Sequence, residues 1–200
     1  MHTSERAVTE LIAAAAVQKR VAEMGAQIGS DYAESTDLLL IGVLKGCFVF
    51  LADLCRSIQR PVMIDFLGLA SYGDETRTSG VVQITADLTR PIEGKDVVVV
   101  EDIIDTGLTL SYLLTTLQAR DPASIEVVTL LDKSVRRIAP LDLKFVGFDC
   151  PDRFVVGYGL DVGERYRNLP FILEVADQSL VTDHPEVLEA FLGATPDEPD

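Results

Sequence analysis

The chain has no tryptophan, and only three cysteines and two histidines among its 200 residues. Cys47, Cys55 and Cys150 are odd in number and lack metal-site spacing, so neither a disulfide framework nor a zinc site is expected; each reads as a small buried side chain. His2 and His184 lie in the terminal segments, away from any central cleft, which leaves proton transfer to a carboxylate or a lysine. No G-x-G-x-x-G turn follows a strand-like segment, so a dinucleotide-binding oxidoreductase has no support. Positive charge is scarce, with 17 Lys and Arg against 32 Asp and Glu and a net charge of −15. Such a field repels nucleic acid and anionic membranes, and any anionic ligand must be held by local devices. Long apolar runs are also missing: Lys45 interrupts the most apolar window, Leu38 to Leu54, and Met1 to Arg6 has no signal-peptide pattern, so a cytoplasmic protein without a membrane span is expected.

What is present is a chain with 48% hydrophobic and 24% charged residues, enough to bury one substantial core. One domain over residues 1–193 is expected, followed by an acidic tail over 194–200. Helical spacing of apolar residues predicts a helix from Val8 to Met24. Leu38 to Val43 reads as a buried strand, and Cys47 to Ile58 as the helix after it. Strands are predicted at Val62 to Leu69, Val81 to Ala86, Val97 to Val100, Ile125 to Leu131, Leu143 to Phe148, Phe154 to Val156 and Phe171 to Glu174, with a helix over Leu110 to Ala119. Asp183 and Pro185 are expected to open a last helix through Leu192. The alternation implies an α/β fold whose mostly parallel sheet is covered on both faces. The polar stretch Ala70 to Gly80, after the strand ending at Leu69, reads as a mobile loop.

The stretch Val97 to Leu110 carries the chemistry. A β-branched strand runs into the adjacent carboxylates Glu101 and Asp102, and ligands of open parallel sheets lie beyond the carboxyl ends of strands. Those side chains suit hydroxyls or a hydrated cation. Asp105-Thr106-Gly107-Leu108-Thr109 then forms a short turn whose glycine permits close backbone approach, directly before a helix with unpaired first amides. Amides, threonine hydroxyls and the helix dipole together make a phosphate cup. Asp105 stands between cup and carboxylates. Singly, each residue has a plainer reading: Asp105 and Thr106 as helix caps, Glu101 and Asp102 as solvated strand-end charges. Their combination after four valines favours a site.

The segment from Val97 to Thr109 resembles the phosphoribosyl pyrophosphate motif of type I phosphoribosyltransferases. Leu44-Lys45-Gly46, Ser71-Tyr72-Gly73, Leu131-Asp132-Lys133, Val146-Gly147-Phe148, Phe154 to Asp161 and Arg165 to Pro170 resemble the hypoxanthine-guanine branch in the same order, covering roughly Leu38 to Leu173. The resemblance implies the type I fold with a small hood, magnesium dependence, and transfer of phosphoribose to hypoxanthine or guanine in purine salvage, giving IMP or GMP and pyrophosphate. It implies that Glu101 and Asp102 bind ribose hydroxyls and magnesium, that Asp105 to Thr109 cradle the 5′-phosphate, and that Asp105 handles a proton. Lys45, Gly46 and Arg167 are implied pyrophosphate ligands, in a family where the Lys45-Gly46 peptide is often cis. Lys133 is implied to donate to the 6-oxo group, Phe154 to stack on the purine, and Val155 and Asp161 to read its other edge, with Asp161 also a second magnesium contact. Ser71 and Tyr72 begin a loop expected to close over the site. A homodimer or homotetramer is the family expectation.

Two departures stand out. Leu108 replaces the basic residue of some relatives, and Cys47 follows Lys45-Gly46 where a second glycine is common. By default Lys133 after an apolar strand is an exposed lysine, and Phe154 a core residue. Xanthine or a pyrimidine is an alternative base; a regulatory relative that binds nucleotide and RNA is an alternative class, disfavoured by the net charge.

Overall fold

The computed structural model describes residues 7–72 and 81–193. Of the expected Ala70 to Gly80 loop, Ala70, Ser71 and Tyr72 instead continue the preceding strand, because they pair with a following antiparallel strand; residues 73–80 and the 194–200 tail lie outside the described residues.

A six-stranded sheet forms the centre, in the order β4-β3-β2-β5-β6-β7. Its strands are β2 (Leu38–Leu44), β3 (Met63–Tyr72), β4 (Val81–Ala86), β5 (Asp96–Ile104), β6 (Ser124–Asp132) and β7 (Phe145–Asp149). All neighbours run parallel except β4, which pairs antiparallel with β3 at one edge. β2 and β5 are central because their apolar runs are continuous: a strand covered on both faces needs no polar alternation. Val98 and Val100 pack with the helices α1 (Ala14–Asp31) and α2 (Phe48–Ser57), while Val97 and Val99 face α3 (Leu108–Gln118) on the other side. Each valine side chain therefore contributes to one of two cores.

Along α1, Val17, Val21, Met24 and Ile28 are buried at helical spacing. The helix runs to Asp31, beyond the expected end at Met24, because Ile28 extends the buried stripe by another turn, and Gly25 lets α1 and α2 approach closely. A Cβ at Gly25 would lie 2.5 Å from the Ser57 Cβ.

A second, three-stranded antiparallel sheet has the order β1-β9-β8, from β1 (Val8–Ile12), β8 (Phe154–Val156) and β9 (Ile172–Val175). It covers a third apolar cluster around Phe171, Leu173 and Tyr166 and forms the hood. Here the structure corrects the expected helix start: Val8 to Ile12 pairs with β9, Val8 opposite Val175. The helical pattern continued through this strand because the apolar positions of a short segment fit both periods; the β9 edge decides. The chain end differs too. Asp177 caps a short helix α4 (Gln178–Asp183) by accepting from the Ser179 amide at 3.0 Å, and Pro185–Phe191 is a separate 3₁₀ helix rather than one continuing α-helix. Pro185 lacks the amide that would extend α4.

Leu54 on α2 is fully buried against the sheet. Leu54→Ala is expected to cost about 2–5 kcal/mol of unfolding free energy in urea. A loss below about 1 kcal/mol would contradict this packing.

Candidate functional site

The carboxyl ends of β2, β5 and β6 converge on one rim of the central sheet, and the sequence-predicted residues gather there. β5 continues to Ile104, so Glu101 and Asp102 sit inside the strand rather than at its end. The inside-outside alternation slips at this pair: Val100 and Ile103 pack with one core, Val99 and Ile104 with the other. Glu101 is buried, 8% exposed, and lines a cleft of about 240 Å³ with Asp105, Thr106, Gly107 and Thr109. Asp102 lies under the loop after β2, where a Cβ on Gly46 would fall 1.5 Å from its Oδ2. Only glycine lets that backbone rest on the carboxylate.

Burial pushes the Glu101 carboxyl well above its usual value, and the neighbouring Asp102 adds to the shift. Asp102 is raised to about 6, chiefly by burial and further by Asp161, while backbone amides and Arg167 oppose the change. The pair thus lacks full compensation by positive charge. Among the described residues no group of three or more His, Cys, Asp and Glu side chains is arranged to hold a metal by itself.

Gly107 is the cap residue of α3, at φ 79°, and no side chain caps the helix. A Cβ there would also meet Leu141 Cδ1 at 2.8 Å. The Thr106 hydroxyl reaches the Leu108 amide only at 3.5 Å, so the capping role open to Asp105 and Thr106 is not how this turn is built. The first amides of α3 remain available to an anion. Leu108 is exposed and offers no charge to the cup. Asp105 presents one buried oxygen, Oδ1, that has no hydrogen-bond partner, whereas Oδ2 lies 3.1 Å from Arg136 Nη1.

Arg136 also lines a second cavity of about 200 Å³ with Lys133, Asp152, Arg153 and Phe154. Lys133 is buried, 7% exposed, against its default as an exposed lysine. Its backbone amide donates to Ile104 O at 2.9 Å, which ties the end of β6 to the end of β5. Phe154 is partly buried and Val155 buried, both on β8 of the hood. Asp105 and Arg136 therefore join the two cavities. Sequence reasoning assigned nothing to Arg136, and no local signal marks it, since its partners Asp105 and Asp152 come from other parts of the chain.

At the β2 end of the same rim, Lys45 and Arg167 meet through acids. Lys45 Nζ lies 3.0 Å from Glu164 Oε2, and Arg167 Nη2 lies 3.2 Å from the same oxygen. Arg167 also pairs with Asp161 Oδ1 at 2.7 Å and donates to Gly159 O at 2.7 Å. Hydrogen bonds from Lys45 first, then Arg167, hold the Glu164 carboxyl below its usual range. The cis peptide is Leu44-Lys45, one bond before the expected Lys45-Gly46; resemblance alone did not fix which bond of the turn was meant. Ser71 and Tyr72 are the last residues of β3, with backbones opposite Val82 and Val81 of β4. They end a strand rather than begin a loop.

The chain matches the phosphoribosyl transferase domain over residues 7–162. It is 50% identical over 167 residues to a hypoxanthine-guanine phosphoribosyltransferase of Mycobacterium avium, covering 81% of this chain and 82% of the relative. A protein of that name from Bacillus subtilis is 51% identical over 162 residues, covering 81% and 89%. The crystal structure of a hypoxanthine phosphoribosyltransferase from Staphylococcus aureus superposes with a TM-score of 0.81 at 44% identity, covering 86% of this chain and 93% of the other.

Because Asp102 is raised from 3.8 to about 6, the native state binds more protons than the unfolded chain between those values. Its contribution to stability is present at low pH and lost as pH rises through the window. Asp102→Asn is expected to stabilise the ligand-free, chelator-treated protein by about 1–3 kcal/mol near neutral pH relative to acid, compared with the parent chain. A wild-type-minus-variant difference that does not change with pH in denaturant melts would contradict the burial of this carboxylate.

Proposed function

This chain belongs to the phosphoribosyl transferase family, and we propose that it transfers the 5-phosphoribosyl group from phosphoribosyl pyrophosphate to hypoxanthine or guanine, forming IMP or GMP and pyrophosphate. The observation that carries this reading is the junction at Asp105, which faces an uncapped helix terminus on one side and, through Arg136, a cavity holding Lys133 and Phe154 on the other. That arrangement suits a reaction between a phosphorylated sugar and a flat base.

In this reading the amides and hydroxyls of Asp105 to Thr109, Gly107 and Leu108 included, hold the 5′-phosphate. Glu101 and Asp102 hold the ribose hydroxyls. Lys133 donates to the 6-oxo group, and a fixed ammonium there faces a donor when the base carries a 6-amino group instead, which disfavours adenine. Phe154 stacks on the purine, and backbone groups of Val155 and Asp161 read its far edge. Lys45, Gly46 and Arg167 take the pyrophosphate. Asp105 accepts the proton at purine N7 as N9 bonds to the ribose C1′ and the pyrophosphate oxygen departs. The segment after Ser71 and Tyr72 excludes water from the reacting ribosyl group.

Glu101, Asp102 and Asp161 are the residues that would hold magnesium. The donor set fits: all donors are carboxylate oxygens, and this ion characteristically takes one or two carboxylates and completes its shell with substrate phosphates and water. The desolvated Glu101–Asp102 pair also favours a nearby cation. When bound, magnesium disperses charge on the leaving group. Among the described residues no helix is long and apolar enough to cross a membrane. A cytoplasmic location and a homodimer or homotetramer belong to the same proposal.

The test is incubation of the purified protein with phosphoribosyl pyrophosphate, magnesium and, separately, hypoxanthine, guanine, xanthine, adenine and uracil. IMP and GMP without AMP or UMP are expected; nucleotide binding with no turnover of any base would overturn the enzymatic reading. Asp105→Asn is expected to lower kcat by about 10²–10⁴-fold while nucleotide binding persists. Near-parental turnover in that variant would remove Asp105 from proton transfer.

A further inference from the structure

The hairpin after β8 carries a carboxylate for which the reaction above has no use. Val162 and Arg165 exchange backbone hydrogen bonds of 3.3 and 3.1 Å, closing a two-residue turn over Gly163 and Glu164. These central residues have φ of 58° and 64°. A turn of this kind demands positive φ at both places, which glycine meets freely and a residue with a Cβ meets at steric cost. Gly163 fills one place. Glu164 fills the other, so a long acidic side chain stands where the backbone favours none.

The side chain has a defined destination. The Glu164 amide donates to Asp161 Oδ2 at 2.9 Å, which fixes the turn against the Asp161–Arg167 pair. Glu164 Oε2 then meets Lys45 Nζ at 3.0 Å and Arg167 Nη2 at 3.2 Å. Lys45 arrives from the loop after β2 and Arg167 from the segment before β9. A single carboxylate oxygen bridges two cations contributed by distant parts of the chain, as one oxygen of a bound anion would.

We propose that Glu164 is a positioning residue and internal competitor at the pyrophosphate site, holding Lys45 and Arg167 at bridging distance and weakening pyrophosphate binding by occupying the same two cations. The proposal rests on the assignment of Lys45 and Arg167 to pyrophosphate given above. Glu164 and Lys45 side chains are 64% and 66% exposed, so their pair is weak and exchanges readily with a ligand of higher charge and more oxygens. When pyrophosphate leaves, the carboxylate returns to both cations. A tethered acid of this kind favours product release, a step that often limits turnover.

The test uses the full chain with Glu164→Gln, which removes the charge, and Glu164→Gly, which also removes the backbone strain. Calorimetric titration with inorganic pyrophosphate and magnesium is expected to show about two- to fivefold tighter binding in both variants. The KM for phosphoribosyl pyrophosphate should fall by a similar factor while the KM for hypoxanthine stays unchanged and kcat does not rise. A purely structural role would instead disturb both substrates together. Glu164→Gly should melt no lower than the parent, which separates the gain in affinity from damage to the turn. Unchanged or weaker pyrophosphate binding in both variants overturns the proposal. Lys45→Ala and Arg167→Ala are expected to weaken pyrophosphate; intact binding in both would refute the cation site itself and, with it, the role of Glu164.

Discussion

Two adjacent carboxylates buried in the middle of a parallel sheet are costly, because each ionised group gives up water that no neighbouring cation fully replaces. Glu101 and Asp102 bear that cost on β5, directly after four valines that are fully buried. The surrounding structure accommodates them by geometry. Gly46 rests on Asp102 with no room for a side chain, and Gly159 in turn would place a Cβ 2.1 Å from the Gly46 carbonyl oxygen. Three segments distant in sequence are thereby stacked on one carboxylate. The raised affinity of both acids for protons is the same fact in electrostatic terms.

From that centre the site divides by charge. One side holds the uncapped start of α3, where backbone amides supply the positive end of a dipole without a basic side chain. Across Asp105 lies the cavity with Lys133, Arg136 and Arg153. On the other side the cations Lys45 and Arg167 are bridged by Glu164, and Asp161 pairs with Arg167. In a protein with a net charge of −15, five of the 17 Lys and Arg residues, Lys45, Lys133, Arg136, Arg153 and Arg167, thus lie around this centre. The long-range field is unfavourable to anions, so affinity depends on these short contacts.

The legible parts of the sequence were those where burial on both faces dictates composition. β2, β5 and the Asp105 to Thr109 turn could be read because a continuous apolar run, a carboxylate pair and a glycine before a helix each have few structural solutions. β1 could not, since its five residues take their form from the β9 edge, which is distant in sequence. The division at Pro185 was misread because α4 takes its start from the Asp177 cap, upstream of the expected opening. Continuation of β5 past its valines was hidden because Glu101 and Asp102 look like strand-end charges; only the pairing of Glu101 with Thr129 and Ile103 with Leu131 on β6 keeps them in the ladder. Arg136 and Glu164 escaped because an exposed arginine or glutamate carries no local signature, and their partners come from elsewhere in the chain.

The most direct measurement is calorimetric binding of phosphoribosyl pyrophosphate with magnesium to the parent chain and to Glu101→Gln/Asp102→Asn. If the buried pair is the platform for the sugar and its cation, the double variant remains folded and binds at least about tenfold more weakly, the equivalent of one or two lost charge-assisted hydrogen bonds. Equal affinity in a folded double variant would contradict the account, since the costliest feature of the sheet would then serve no ligand.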